Sequence, residues 1–458
     1  MLLEGWRADG AGALARRLAQ TLRSRIASGL LGPGVLLPPE RSLAAVLGVS
    51  RSTVVTALDE LRGGGFVESR QGSGTRVAGR ERDAGEAMTS VRRLLVGGAN
   101  LNLAASVPSD ASHLPAVVVD VADLAAITPA HGYGPAGLLD LRDAIAARHT
   151  TQGLATSVEH LHVTNGGQHA LHLALGAVTR PGDIVAIEDP TYLGVFDLLE
   201  ARGLRPLPIP LDVVHESSAE LVRLCRGGRA RAVLLVPAVH SPTGRVRRAA
   251  DIHRLAERLD ALGLPVIEDN TVADLVFTGR RPPSLAACCN SAPVTSVESM
   301  SKVAWGGLRV GWLRGRPQEI DRTVRERSRV DFGTSVPSQL LARQLLDRYD
   351  ALIAERRRTL AGRAKLFARL VRERLPDWRG EAPGGGLSTW IDTGFDAEVL
   401  AALALRHGVT VAPGTSASRL PAARTHLRLC FDRPPLELEA ALARLTRAWE
   451  DTRGWRAV

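Results

Sequence analysis

The chain has 458 residues, 45% of them hydrophobic and 23% charged, which excludes a mostly disordered protein and leaves room for two to four folding units. Its 58 basic and 48 acidic residues give a net charge of +10, a weak pointer to a polyanionic partner. No apolar run reaches the roughly 18 residues of a membrane span, and the N-terminal MLLEGWRADG lacks the basic-then-apolar pattern of a secretory signal. Cys225, Cys288, Cys289 and Cys430 fit no zinc spacing, so the expectation is a cytoplasmic protein with reduced thiols, no metal and no membrane association.

In chain order, residues 1–78 carry ten arginines against six acids. Leu14, Leu18, Leu22 and Ile26 recur at helical spacing, which predicts an amphipathic helix over 12–28. A second helix is expected after Leu37-Pro38-Pro39, with Leu43, Val46 and Leu47 on its inner face and Gly48 as its left-handed stop. Ser50 is a natural N-cap for a third helix over about 51–63 that buries Val54, Leu58 and Leu61. Two short helices around LGVS read as a helix-turn-helix. The following strands around Gln71-Gly72-Ser73-Gly74 read as a β-wing.

Arg51, Ser52 and Thr53 occupy the first turn of the third helix, the part of a recognition helix that meets base edges, and Arg41 can reach phosphate or guanine. Any one of these arginines read alone is an ordinary solvated charge. The segment 28–77 resembles the winged helix-turn-helix of the GntR family of bacterial regulators, through LPPER, GVSRSTV and GSGTRV in order. That resemblance implies contact with a double-stranded DNA operator by Arg41, Ser50, Arg51, Ser52, Thr53, Gln71 and Gly72. Val55 departs from it, since family members often carry a further arginine there.

Residues 79–98, GRERDAGEAMTSVRRLLVGG, read as a linker with a helical turn or two near Met88–Leu95. From Ala99 to the end, short apolar runs such as AVLLV (232–236) and LPVIE (264–268) alternate with helical patterns such as LRDAIAARH (141–149). This is the pattern of an α/β domain with a mainly parallel sheet.

Five features of that domain carry chemistry. Gly166-Gly167-Gln168 follows a short strand and opens a helix, which presents free N–H groups to an anion, although such turns are common. Tyr192 sits past a strand end, where its ring either stacks on a planar cofactor or joins the core. Ser241 belongs to HSPTG after the AVLLVP strand. Asp269 closes the LPVI strand, where ligands of open α/β sheets bind. Lys302 lies in SMSKVAWGGLRVGW with Ser299 and Arg309. Only Lys302 and Lys365 are lysines among the 58 basic residues, and arginine cannot replace lysine where an amine must lose its proton to form an imine. One cofactor uses the whole set: pyridoxal 5′-phosphate. Lys302 would form the Schiff base, Asp269 would hold the pyridine proton, Arg309, Ser299 and the Gly166–Gln168 turn would cradle the phosphate, and Tyr192 would stack.

The span from about 100 to 450 resembles fold-type I, class I/II aminotransferases, with HGYGPAGLLDLRDAIA, VTNGGQHAL, HSPTG, VIEDN, SMSKVAWGGLRVGW and THLRLCFDRPP as matching text. The resemblance implies large and small domains, a dimer in which Tyr133 reaches the neighbouring cofactor phosphate, and a clamp on a substrate carboxylate by Arg428. Three positions depart from it: Ser241 for a usual asparagine, Thr271 for a tyrosine common in relatives, and VAWGG for TLAPG. The joined halves look like the MocR subfamily of GntR regulators. That implies a domain-swapped homodimer whose aminotransferase-like domain senses pyridoxal phosphate or an amino-acid adduct and controls DNA binding. The alternative is a working aminotransferase with an accessory DNA-binding module.

Overall fold

The structure, a computed structural model, describes residues 14–27, 31, 35–64, 66–70, 74–77, 100–108, 111–127, 131–216 and 218–452. Gln71, Gly72 and the whole of 79–98 lie outside the described residues.

The N-terminal unit is built from α1 (Leu14–Ala27), α2 (Glu40–Leu47), α3 (Arg51–Gly63), β1 (Val67–Arg70) and β2 (Gly74–Val77). Leu18 and Leu22 of α1 pack inward while Leu14 faces solvent. The α2 face differs from the sequence expectation: Leu43, Ala44 and Leu47 are buried, and Val46 is exposed. A helix this short turns only one narrow stripe inward, and the small Ala44 falls within it. Gly48 stops α2 at φ 62°, and its N–H bonds back to the helix. Ser50 caps α3 by accepting the Thr53 N–H, and Val54, Ala57, Leu58 and Leu61 form the inner face. The wing pairs Val67 with Val77 in antiparallel register. It gains a third edge, because Leu37 N–H bonds Thr75 and Val77 N–H bonds Val35.

The larger unit has a seven-stranded sheet in the order β4-β10-β9-β8-β7-β5-β6. The strands are β4 (Leu161–Thr164), β5 (Ile184–Asp189), β6 (Arg205–Pro210), β7 (Ala232–Leu235), β8 (Val266–Asp269), β9 (Val294–Ser299) and β10 (Gly311–Arg314). Only β10 runs against its neighbours. β7, β8 and β9 are buried along their whole length, as strands covered on both faces must be. A second, antiparallel sheet orders β11 (Arg379–Gly380), β12 (Ser388–Asp392), β15 (His426–Cys430) and β14 (Ala412–Pro413). The chain enters the larger unit through β3 (Leu101–Asn102), which pairs with β13 (Val409–Thr410).

Carboxylates are buried near the carboxyl ends of the parallel strands, and each is tied to a neighbouring element. Glu188 on β5 accepts the Val236 N–H at 2.6 Å and pairs with Arg247 at 3.3 Å. Burial pushes its carboxyl up, and Arg247 offsets part of that shift. Glu268 on β8 accepts the Leu285 N–H at 2.7 Å and hydroxyl protons from Ser284 and Ser296. Glu298 on β9 pairs with Arg281 at 2.7 Å.

Removing one partner of a buried pair leaves the other charge uncompensated, at about 3–5 kcal/mol. Arg247→Ala should therefore lower the unfolding free energy by about that amount, read from urea denaturation. A loss within the ~0.5 kcal/mol of an ordinary surface change would show that Glu188 is satisfied without Arg247.

Candidate functional site

A cavity of about 560 Å³ opens over the carboxyl edge of the sheet. Gly167, Gln168, Tyr192, Ser241, Asp269, Thr271, Lys302, Arg309 and Arg428 line it, so residues far apart in sequence converge there. The connections explain the convergence. In a parallel sheet every carboxyl end faces the same edge, so loops after β5, β7 and β8 arrive together. β4, antiparallel to β10, delivers Gly166 to the same edge.

Asp269 is buried at the end of β8 and accepts the Thr271 N–H at 2.9 Å. Burial pushes its carboxyl up, against the bonds from Thr271 and the field of Lys302. Lys302 follows β9 by three residues. Its Nζ donates to the Ser106 carbonyl at 2.8 Å. Burial and the Arg428 charge push it down to about 8, against the pull of Asp269.

The anion cradle is defined by what its glycines exclude. Gly166 has φ 84°, and a Cβ there would lie 2.8 Å from an Arg309 nitrogen. A Cβ on Gly167 would lie 2.8 Å from the Thr271 methyl carbon. Arg309 itself takes a left-handed φ of 55°, a conformation that costs a non-glycine residue about 1–3 kcal/mol. Its guanidinium donates to the Asn165 carbonyl, which turns it onto the N-terminus of the helix Gly167–Val178. The Gln168 amide nitrogen bonds Gly194 at 3.0 Å, while its buried Oε1 lacks a donor among the described residues. Free N–H groups, an arginine and glycine-made space suit a phosphate. With an amine and a buried carboxylate across the cavity, the donor set fits pyridoxal phosphate.

Three expected residues sit differently from the rest. Ser299 is buried, its hydroxyl 3.2 Å from the Val310 carbonyl and 3.1 Å from the hydroxyl of Ser301, which lines the cavity. Tyr133 is 66% exposed and packs on Phe332 at 5.3 Å, outside the cavity of its own chain. Arg428 lines the cavity but donates to the Ala104 carbonyl at 2.7 Å and to the Ser106 hydroxyl. The Ala104–Pro108 strap that meets Arg428 and Lys302 was missed from sequence. AASVP carries neither a charge nor a periodic signal that would mark it. Tyr192, whose phenol burial pushes up to about 12, stays protonated beside the cavity.

In the N-terminal unit, Arg41, Ser50, Arg51 and Ser52 are exposed and Thr53 half-buried at one corner. The Ser50 hydroxyl lies 2.8 Å from those of both Ser52 and Thr53. Arg51 folds back onto Glu40 at 2.9 Å. An exposed pair of this kind is worth at most about 1 kcal/mol, so a phosphate or base can take Arg51 from it.

A lysine with its pKa near 8 reacts as a neutral amine far more readily than an ordinary one. At pH 8 about half of Lys302 is neutral, against roughly 0.3% for an unperturbed lysine. Reductive methylation followed by peptide mass spectrometry should show Lys302 reactivity rising through pH 8. A rise only above pH 10 would refute the lowered value.

Residues 14–77 match the family described as bacterial regulatory proteins, gntR family, and residues 99–445 match aminotransferase class I and II. The probable rhizopine catabolism regulatory protein MocR of Rhizobium meliloti is 30% identical, over 79% of this chain and 78% of that protein. The uncharacterized HTH-type transcriptional regulator YdcR of Escherichia coli (strain K12) is 28% identical, over 87% and 91%. Among solved structures, LysN, an alpha-aminoadipate aminotransferase of Thermus thermophilus complexed with N-(5′-phosphopyridoxyl)-L-leucine, is 26% identical. It has a TM-score of 0.70 and covers 81% of this chain and 96% of that one. A winged helix and an aminotransferase fold in one chain, matched together by these regulators, place the protein in the MocR-type branch of the gntR family of transcriptional regulators.

Proposed function

We propose that this protein regulates transcription in the cytoplasm, as a homodimer that reads an operator through α3 and the wing. Its aminotransferase-like unit holds pyridoxal phosphate and senses either the cofactor itself or an amino acid bound with it. The observation that carries this reading is one cavity that gathers Lys302, Asp269, Arg309, Gly167 and Gln168, in a chain that also carries a winged helix.

Each residue has a physical task. Lys302, its amine made less basic by burial, supplies the nucleophile. Asp269, fixed by the Thr271 N–H, supplies a carboxylate against a ring nitrogen and holds a proton there. Gly167, Gln168 and Arg309 supply the donors for a phosphate, and Tyr192 a face for a planar ring. Pyridoxal phosphate, when bound, supplies an electron sink conjugated to the amino group. Ser241 lines the cavity with a short hydroxyl, which would offer a bound cofactor less hydrogen bonding than the asparagine usual in the aminotransferases this unit resembles. Tyr133, exposed and outside the cavity of its own chain, supports a dimer in which each chain completes the other's site.

The DNA task falls to the hydroxyl and arginine cluster at the start of α3. A side chain reading a base edge contributes about 1–3 kcal/mol. Ligand control of that binding requires only that the effector prefer one arrangement of the dimer over another.

Two variants test the two halves separately. Arg51→Ala should weaken operator binding about fivefold or more, measured by fluorescence anisotropy, with cofactor content unchanged; unaltered affinity would remove Arg51 from the reader. Lys302→Ala should lose covalent attachment of pyridoxal phosphate, followed by borohydride reduction and peptide mass spectrometry. Attachment that survives in that variant would refute the lysine assignment. Steady amino transfer between two substrates by the unaltered protein would favour the working-enzyme alternative.

A further inference from the structure

The strap Leu103–Pro108, bent at Leu103, Ala104 and Val107, passes between two arginines. On one side, Arg433 donates to the carbonyls of Asn102 at 2.9 Å, Ala105 at 3.0 Å and Val107 at 3.1 Å. On the other, Arg428 donates to the Ala104 carbonyl and the Ser106 hydroxyl, and Lys302 donates to the Ser106 carbonyl. The strap backbone is fixed further where the Asn102 carboxamide oxygen accepts the Ala104 and Ala105 N–H groups at 2.8 and 3.0 Å.

Two oxygens therefore face the two outer nitrogens of one guanidinium, the arrangement a carboxylate makes with arginine. They differ in mobility. The Ala104 oxygen is part of a backbone held on both sides, whereas the Ser106 hydroxyl turns about a single bond. Ser106 is half-buried on the cavity wall, next to Lys302 and Arg428.

We propose that Ser106 stands in for the carboxylate of an amino-acid ligand and sets the threshold for its binding. Its hydroxyl accepts from one outer nitrogen of the buried Arg428 guanidinium. A ligand with a carboxylate near its amino group displaces that hydroxyl, which rotates away while the strap backbone stays on Arg433. A ligand with an amine and no carboxylate gains nothing from Arg428 and leaves Ser106 in place. Ser106 is thus a positioning and specificity residue that acts through Arg428. The inference rests on the sensing role proposed above and adds to it the residue that sets the threshold at Arg428.

The test compares the full chain with Ser106→Ala and Ser106→Thr. Each protein, loaded with pyridoxal phosphate, is titrated with each of the twenty protein amino acids and with ethylamine, read by visible absorbance and independently by calorimetry. Losing a competing hydrogen bond to a charged group should tighten amino-acid binding by Ser106→Ala on the order of tenfold. Ethylamine binding should not change, and Ser106→Thr, which keeps the hydroxyl, should behave as the parent. A residue that merely supports Arg428 would give the opposite sign, with weaker amino-acid binding in Ser106→Ala. That result, an unchanged affinity, equal tightening for ethylamine, or no amino acid binding to any of the three proteins would overturn the proposal. Borohydride reduction and peptide mass spectrometry of the same samples report whether Lys302 carries the cofactor. Cofactor on Lys302 with no Ser106 effect defeats this inference alone. Cofactor absent from Lys302 defeats the sensing role, and calorimetry on the unloaded chains still decides the part played by Ser106.

Discussion

The cost of burying charge organises the larger unit. Five carboxylates, Glu188, Asp189, Glu268, Asp269 and Glu298, sit at or near the carboxyl edge of the parallel strands with almost no exposure, Asp189 accepting from the Ser418 hydroxyl and the Arg419 N–H. An ionised group in such a place is tolerated only when donors surround it. Glu188 has Arg247 and a backbone N–H, Glu298 has Arg281, and Glu268 has two hydroxyls and the start of a short helix. These bonds fasten the ends of β5, β8 and β9 to the segments that follow β7 and β8. Asp269 differs. Its contacts are Thr271 and the field of Lys302, so it keeps capacity for a cationic or proton-bearing partner in the cavity.

The same electrostatics tune the cations. Lys302 and Arg428 lie close enough that the arginine disfavours the charge on the lysine, and burial weighs against the charge on both. The strap answers with carbonyl and hydroxyl oxygens, which accept from both without adding charge. A carboxylate from the protein itself in that position would neutralise the arginine permanently. Neutral oxygens leave the guanidinium hydrogen-bonded without neutralising it. The reader applies a similar logic at its surface, where Arg51 rests on Glu40 in a weak, solvent-screened pair that a polyanion can replace.

How much of this was legible depended on the range of the signal. The α3 cap at Ser50, the αL stop at Gly48 and the wing strands follow from chemistry within a few residues, and they stand where the pattern put them. Val46 misled because an eight-residue helix has too few turns for a hydrophobic period to distinguish the buried stripe from its border. Ser299, the last residue of β9, is buried with its hydroxyl on Ser301, the serine that lines the cavity. The Ala104–Pro108 strap gave no signal, since its role lies in backbone oxygens that every residue possesses.

The sequence by itself determined the two halves, the chemistry of Lys302 and Asp269 and the turn that opens onto an anion. Those properties belong to residue types and to spacings within one strand, turn or helix. Only the tertiary structure decided which of these groups share a cavity, what lies against them and which arginine is already engaged. Lys302, Ser106 and Arg428 are brought together by β9, by the strap after β3 and by β15, elements far apart in the chain. Their relation is one of distance and burial, which arise only when the sheet closes over its edge. The shifted amine and the occupied guanidinium therefore belong to the fold and are encoded in no single stretch of sequence.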